Sequence, residues 1–369
     1  MTRKSLPACA VLLAGGRGTR FWPRSRMRTP KQLLNIAGGQ SMLRETAERL
    51  APVFERRNLW AVTNAEQVAG VRRELRGVPA AHILSEPVGR NTAAAIGLAA
   101  IHLAHEHGDA LMAVVPADSH VTDAARYRTL VRAALEQARG AGALVVLGIP
   151  PTRPETGFGY IERGSVCARP RGVRAYDVKR FTEKPDLPRA RRFVASGKYL
   201  WNAGMFFWRV STFLEILKRF LPGTHSALLE LGKTIGTRKY SSALRRIYPR
   251  LENISVDFAV MERTTRVSGP CRVSVIPAQV GWSDLGSWAS VYELLAAKPG
   301  ANVSAGPFLA LDAEGNVFWS PKKFVAAIGI RNLVLVETGD AILLCSRDRS
   351  QDVGKIVKWL EARRKKELL

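Results

Sequence analysis

The run Gly15-Gly16-Arg17-Gly18-Thr19-Arg20 directly follows the apolar stretch Ala8–Ala14. Glycines so placed can take positive φ and turn successive backbone N–H groups inward as an anion nest. A polyphosphate fits such a nest, and so does an ordinary tight turn. The loop is not a P-loop, because no Gly-Lys-Ser/Thr follows, and its spacing is not that of G-x-G-x-x-G. The continuation Phe21-Trp-Pro-Arg-Ser-Arg-Met-Arg-Thr-Pro-Lys31-Gln32 adds several cations on a stretch stiffened by Pro23 and Pro30. Rigid cations suit a reaction in which charge builds on a departing phosphate group.

Carboxylates stand at the ends of other apolar runs. Glu86, in Ser85-Glu-Pro-Val-Gly-Arg-Asn-Thr92, can accept from the N1–H and 2-amino donors of guanine, while Asn91 or Thr92 can equally be a helix N-cap. Asp118, in Val114-Val-Pro-Ala-Asp-Ser-His120, ends a buried run, and Asp284 lies in the glycine-bounded loop Gly281-Trp-Ser-Asp-Leu-Gly-Ser-Trp288. Each alone commonly caps a turn. Together, two such aspartates could share one Mg²⁺, a hard ion that takes oxygen ligands and bridges phosphates. Further on come the glycine loop Thr156-Gly-Phe-Gly-Tyr-Ile161, then Phe181-Thr-Glu183-Lys184-Pro185, then Trp201-Asn202-Ala-Gly-Met-Phe-Phe207. Lys184 offers a point charge for a phosphate, and Asn202 a two-way hydrogen-bond partner. Ser255-Val-Asp257-Phe-Ala-Val-Met-Glu262 reads as mainly structural.

The elements that must carry these residues alternate. Strands are expected at Ala8–Ala14, Leu59–Thr63, His82–Ser85, Ala110–Pro116 and Ala143–Ile149, with helices at Met42–Leu50, Ala65–Leu75, Thr92–His105 and Ala124–Arg139. Such alternation predicts an α/β fold, a mostly parallel sheet covered by helices on both faces, with ligands beyond the carboxyl ends of the strands. Past Pro150 the alternation loosens, then resumes with helices at Leu187–Ser196 and Val210–Phe220. After about Pro299 short strands follow at Phe308–Asp312, Asn316–Trp319, Val325–Gly329, Leu333–Thr338 and Ala341–Ser346, closed by a helix at Gln351–Arg364. This predicts a small all-β module, either a curled sheet or a few coils of β-helix.

The chain has 369 residues, 46% hydrophobic and 24% charged, which suits one large core and a smaller second one. Its formal net charge of +25 favours encounters with polyanions without choosing among them. The arginines are scattered along helical faces rather than interleaved with aromatics, as a solvated basic surface would be. Cys9, Cys167, Cys271 and Cys345 have no zinc or redox spacing and fit a reducing cytoplasm. The basic start Met1–Ser5 before an apolar run has the outline of an export signal, but that run leads straight into the glycine loop. No apolar stretch reaches membrane-spanning length. A nicotinamide-dependent oxidoreductase would need a different glycine spacing and an acidic residue closing Leu59–Thr63. A nucleic-acid-binding module would rest on charge alone.

In order, Leu13-Ala-Gly-Gly-Arg-Gly-Thr-Arg-Phe-Trp-Pro-Arg-Ser-Arg26 with Pro30-Lys-Gln32, and each motif quoted above from Ser85 to Trp288, resemble those of the sugar nucleotidyltransferases, in the mannose-1-phosphate guanylyltransferase branch. The family usually has Leu where this chain has Arg24, which either adds a cation beside the phosphates or reaches solvent. The resemblance implies a Rossmann-like catalytic domain over residues 1–298 and a β module over 299–369. It implies GTP and mannose 1-phosphate as substrates, with a heptose phosphate the nearest alternative sugar. It implies Mg²⁺ held by Asp118 and Asp284, and Arg20, Lys31, Asp118 and Lys184 as catalytic residues. Nucleotide contacts are implied for Leu13, Ala14, Gly15, Gly16, Gly18, Thr19, Glu86, Pro87, Gly89, Asn91 and Thr92, and sugar-phosphate contacts for Gly159, Glu183, Lys184 and Asn202. Gly159 is expected to let backbone approach a sugar hydroxyl. The length leaves no room for the isomerase domain of bifunctional relatives, so transferase activity alone is expected. No specific nucleic acid and no membrane is expected as a partner, and a homodimer is compatible with the sequence without being indicated by it.

Overall fold

The computed structural model describes residues 6–267, 269 and 271–369, so the basic start at 1–5 lies outside the described residues. Eleven strands occupy the larger part: β1 (Ala8–Leu13), β2 (Leu59–Asn64), β3 (Ile83–Glu86), β4 (Leu111–Pro116), β5 (His120–Val121), β6 (Ala143–Ile149), β7 (Tyr160–Ala168), β8 (Ala175–Thr182), β9 (Tyr199–Arg209), β10 (Arg272–Pro277) and β11 (Trp282–Ser283). Nine of them form one sheet in the order β3-β2-β1-β4-β9-β6-β10-β8-β7. The pairs β3–β2, β2–β1, β1–β4 and β6–β10 are parallel. β9 runs antiparallel between β4 and β6, and a β7–β8 hairpin closes one edge, where the sequence shows only loosened alternation.

The sheet is apolar on both faces because strand residues alternate sides and here both sides are covered. In β1, Cys9 and Val11 join the core under helices Asn91–His107, Val210–Phe220 and Pro222–Gly232. Ala10 and Leu12 join the opposite core, with helices Met42–Leu50, Ala124–Gln137 and Leu187–Ser196. Side-chain caps start those three helices: Ser41, Asp123 and Asp186 each accept from the backbone N–H three residues on. Each cap contributes about 1 kcal/mol. The helix expected from Ala65 begins only at Val68, because Asn64 Oδ1 accepts from the Gln67 N–H and holds the chain in a turn.

Beyond Pro299 lie β12 (Val303–Ser304), β13 (Phe308–Leu311), β14 (Val317–Trp319), β15 (Val325–Ile328), β16 (Leu333–Glu337) and β17 (Ile342–Ser346). β12, β14 and β16 stack in parallel, as do β13 and β15, so the chain winds in successive coils. Of the two architectures the sequence leaves open, the coiled β-helix is the one formed. Asn316, buried, ties neighbouring coils: its amide donates to Asn302 and to the Ile330 carbonyl, and its Oδ1 accepts from the Leu333 N–H. Phe21 and Trp22 from the opening loop are buried in this module's core beside Trp288, Trp319 and Val357.

Candidate active site

The helix after β1 packs on one face of the sheet and the helix after β3 on the other, so the chain reverses direction between neighbours β1 and β4. A crevice opens at the carboxyl ends of strands flanking such a switch point. Two cavities lie there, of about 370 Å³ and about 620 Å³, sharing Thr92, Pro116, Asp118, Gly204 and Asp257 as walls. The smaller takes Leu13, Gly15, Gly16, Glu86, Gly89 and Asn91. The larger takes Gly18, Thr19, Arg20, Lys31, Gly159, Glu183, Lys184, Asn202 and Asp284.

Two expected nucleotide contacts fall outside these walls. Ala14 is fully buried, and its carbonyl accepts from Gln32 Nε2 at 2.7 Å and from the Thr63 hydroxyl at 2.9 Å, so it anchors the loop rather than facing the cleft. Pro87 is exposed and lines neither cavity. Arg24 follows neither option left open for it: its guanidinium lies 4.7 Å over the Trp319 ring and donates to the Asn35 carbonyl, against the β-helix.

Of the three glycines in the loop, only Gly18 has positive φ, at 60°. A nest of successive left-handed glycines is therefore not what forms. Gly18 is instead a place of close approach, since a Cβ there would stand 2.2 Å from Lys31 Cβ. The upstream half is held by Gln32, whose Nε2 also donates to the Gly16 carbonyl at 3.0 Å and to Gln67 Oε1 at 3.0 Å. Nothing in the residues around Gln67 signals this role.

Lys31 joins the two aspartate loops. Its ammonium donates to Asp118 Oδ2 at 2.9 Å and to the Asp284 carbonyl at 2.5 Å. Burial raises the Asp284 carboxyl above its ordinary range, Lys31 opposes the shift, and the neighbouring Asp118 charge adds to it. Two carboxylates close enough to repel are a hard-oxygen donor pair suited to a divalent cation that keeps other positions for water and phosphate. Among the described residues no group of three or more His, Cys, Asp or Glu side chains forms a cluster that could hold a metal ion.

At the far end of the larger cavity, Lys184 Nζ donates to Glu183 Oε1 at 2.8 Å. The Glu183 side chain is 6% exposed and its Oε2 has no hydrogen-bond partner. A Cβ at Gly159 would stand 2.4 Å from that oxygen, so the glycine makes room for Glu183, which revises the expected reason for it. Asn202 Nδ2 donates to Asp257 Oδ1 at 2.6 Å. Burial raises both Glu183 and Asp257, Asp257 adds to the rise at Glu183, and Lys184 opposes it. Asp257, read from sequence as structural, thus stands in the wall of both cavities, on a π-helical turn spanning Asp257–Glu262.

In the smaller cavity Glu86 is 6% exposed. Its Oε1 accepts from the Tyr248 hydroxyl at 2.6 Å, and Oε2 lies 3.0 Å from where a Cβ on Gly15 would be. Burial raises the Glu86 carboxyl and the Tyr248 hydrogen bond lowers it. Neither Asn91 nor Thr92 caps the helix they open: Asn91 has φ of 61°, and Thr92 Oγ1 accepts from the Val256 N–H at 2.8 Å, tying the helix to the Asp257 turn. Asn91, Lys184 and Leu285, all in or beside the cleft walls, hold positive φ without being glycine, a strain that tends to gather at functional sites.

Residues 9–299 match the family model described as nucleotidyl transferase, and residues 306–360 match the mannose-phosphate isomerase/GMP-like β-helix domain. The xanthan biosynthesis protein XanB of Xanthomonas campestris is 38% identical over 95% of this chain and 73% of its own length. The mannose-1-phosphate guanylyltransferase ManC of Salmonella typhimurium is likewise 38% identical, with the same shares covered. A crystal structure from Thermus thermophilus, described as a mannose-1-phosphate geranyltransferase, has a TM-score of 0.86 at 34% identity and covers 96% of this chain and all of that one. The chain belongs to the nucleotidyl transferase family.

Family membership agrees with the turn after the glycine loop. In a dinucleotide-binding fingerprint the loop opens directly into a helix whose N-terminus meets the pyrophosphate. Here a single 3₁₀ turn, Thr19–Phe21, follows instead, so the nicotinamide reading lacks its structural basis. Among the described residues no helix is long and apolar enough to cross a membrane.

Proposed function

We propose that this nucleotidyltransferase forms GDP-mannose and pyrophosphate from GTP and mannose 1-phosphate, with Mg²⁺ as the divalent cation. The observation that carries the reading is the order of groups along one continuous cleft: Glu86 at one end, Asp118 at the junction of the two cavities, and Glu183, Lys184 and Asn202 at the other. That order matches a guanine base, a triphosphate and a sugar phosphate. The names of the relatives, mannose-1-phosphate guanylyltransferases among them, support the same pair of substrates.

In the proposed reaction a phosphate oxygen of mannose 1-phosphate attacks the α-phosphorus of GTP in line, a new P–O bond forms, and the bond to the β-phosphate oxygen breaks to release pyrophosphate. Positioning and charge neutralisation dominate such transfers. Glu86 accepts from guanine N1–H and the 2-amino group. Arg20 and Lys31 meet the negative charge of the triphosphate and its leaving part. Lys184 binds the incoming phosphate, while Glu183 and Asn202 orient the sugar hydroxyls. Asp118 and Asp284 would hold Mg²⁺, which would offset charge on the phosphoryl oxygens. No side chain forms a covalent intermediate in this scheme.

The test is pyrophosphate release with GTP, Mg²⁺ and mannose 1-phosphate, run beside glucose 1-phosphate and a heptose 1-phosphate, and beside ATP, UTP and dTTP. Fast release only with GTP and mannose 1-phosphate is expected. Preference for another pair would overturn the substrate assignment, and silence with every pair would overturn the activity.

A further inference from the structure

The glycine loop is seated by two different parts of the chain. Its upstream half is held from within the larger domain: Gln32 and Thr63 donate to the Ala14 carbonyl, and Gln32 and Gln67 to that of Gly16. Its downstream half is held by the β-helix and closing helix. Arg17 pairs with Glu361 at 2.6 Å, and Trp22 Nε1 donates to the Leu368 carbonyl at 2.9 Å. Arg26 donates to Asp340 at 2.8 Å, and a Cβ on Gly354 would touch Thr19 Oγ1 at 3.4 Å. Between these contacts, Arg20 Nη1 donates to Gln351 Oε1 at 2.8 Å and to the Gly286 carbonyl at 3.1 Å.

We propose that the β-helix module is a positioning element of the catalytic cleft, with Gln351 acting through Arg20. This rests on the reading of Arg20 as the cation that meets the triphosphate. A guanidinium has five N–H donors in a fixed fork. Gln351 and the Gly286 carbonyl, both neutral, accept from Nη1, so neither cancels the positive charge, which the nearby Asp284 carboxylate also feels, and the remaining donors stay available to phosphoryl oxygens. A carboxylate at 351 would hold the same group and neutralise it as a paired ion. An amide therefore supplies orientation without cancelling the charge. Gln351 is exposed, lies in the 3₁₀ turn Arg347–Asp352 just before the closing helix, and its side chain has no other hydrogen bond among those described, so truncating it leaves the cores untouched.

The test is a double-mutant cycle on the full chain, combining Gln351→Ala and Arg20→Ala. It is read on kcat for pyrophosphate release with GTP and mannose 1-phosphate, and in parallel on the Kd of inorganic tripolyphosphate by calorimetry. Gln351→Ala alone lowers kcat about three- to tenfold, the range spanned by one hydrogen bond, with an unchanged thermal midpoint. In the Arg20→Ala background the same change moves kcat and Kd by less than about twofold, because the two residues act as one unit. Gln351→Glu loses more than Gln351→Ala and recovers part of the difference at high salt. An active wild type in which Gln351→Ala has no effect, or has the same effect with and without Arg20, overturns the proposal and leaves the functional reading intact. A wild type silent with every substrate pair overturns the functional reading instead. The cycle on tripolyphosphate then decides the proposal: coupling supports it and additivity refutes it.

Discussion

Replacing Tyr248 by Phe tests the base-reading end of the cleft without touching the cavity wall. The phenol ring is fully buried and Phe fills the same space, so the change removes one hydroxyl and one hydrogen bond. That bond goes to the carboxyl of Glu86, which is 6% exposed. Hydrogen bonds to charged groups contribute about 1.5–3 kcal/mol. The folded protein should lose roughly that amount of stability or less, read as a lower urea midpoint at unchanged m-value.

The larger consequence is for Glu86 as an acceptor. Burial pushes its carboxyl up and Tyr248 pulls it down. Removing Tyr248's hydroxyl leaves burial less opposed, so the carboxyl rises further and protonates at higher pH. A protonated Glu86 cannot accept from both guanine donors. Loss of one such contact lowers kcat/KM for GTP by about ten- to hundredfold on the acid limb of the profile, shrinking as pH rises and the carboxylate returns. Inosine triphosphate, which keeps N1–H and lacks the 2-amino group, serves as the internal control: the GTP preference over it should narrow in the variant. An acid limb of the kcat/KM profile that does not move, together with an unchanged GTP to inosine triphosphate ratio, would refute the assignment of Glu86 to the base.

Asp118→Asn should lower kcat by at least about a hundredfold, since a phosphate-bridging cation supplies several kcal/mol to the transition state, while the circular dichroism spectrum stays that of the wild type. Gly159→Ala drives a methyl into Glu183 Oε2, so KM for mannose 1-phosphate should rise about tenfold or more, with KM for GTP within about twofold. Asp257→Asn should raise the melting temperature more at pH 8 than at pH 4. Burial raises this carboxyl in the folded state, so its contribution is most favourable below the unfolded value and is lost as pH rises through the folded one. Equal gains at both pH values would contradict that sign.

The strands and helices around β1 to β6 were legible because each is a single apolar run or an amphipathic period, and both faces of the sheet are covered. Ala143–Ile149 and Leu187–Ser196 coincide with their expected spans. β9 was not legible as an antiparallel insert, since its run of Trp, Phe and Met fits a strand of either direction. The motif residues were legible in kind, yet their partners were not. Tyr248 reaches Glu86 from a 3₁₀ turn remote in sequence, and the Asp257 charge acts on Glu183 from the π-helical turn Asp257–Glu262. Neither pairing leaves a local pattern, because the spacing that matters is set by how helices pack on the sheet. Gln351 belongs to a second module altogether.

The cleft is built against the chain's overall charge. In a protein of net charge +25, the groups that burial forces toward protonation are acids: Glu86, Glu183, Asp257 and Asp284. Carboxylates of this kind are costly to bury, and in the proposed function each has a reason to be there. Glu86 faces the donors of a base, Glu183 those of a sugar, Asp257 accepts from Asn202, and Asp284 faces a cation. An anionic substrate could not enter such a cleft unaided, which is why Arg20, Lys31 and Lys184 are spaced along the same walls. Lys31 is committed to Asp118 and to the Asp284 carbonyl, and Lys184 to Glu183, so neither ammonium is unpaired. Arg20 differs in being held by neutral acceptors alone. In the proposed reading its charge faces both the Asp284 carboxylate and the phosphates, and its orientation is shared between Gln351 before the closing helix and the Gly286 carbonyl of the larger domain.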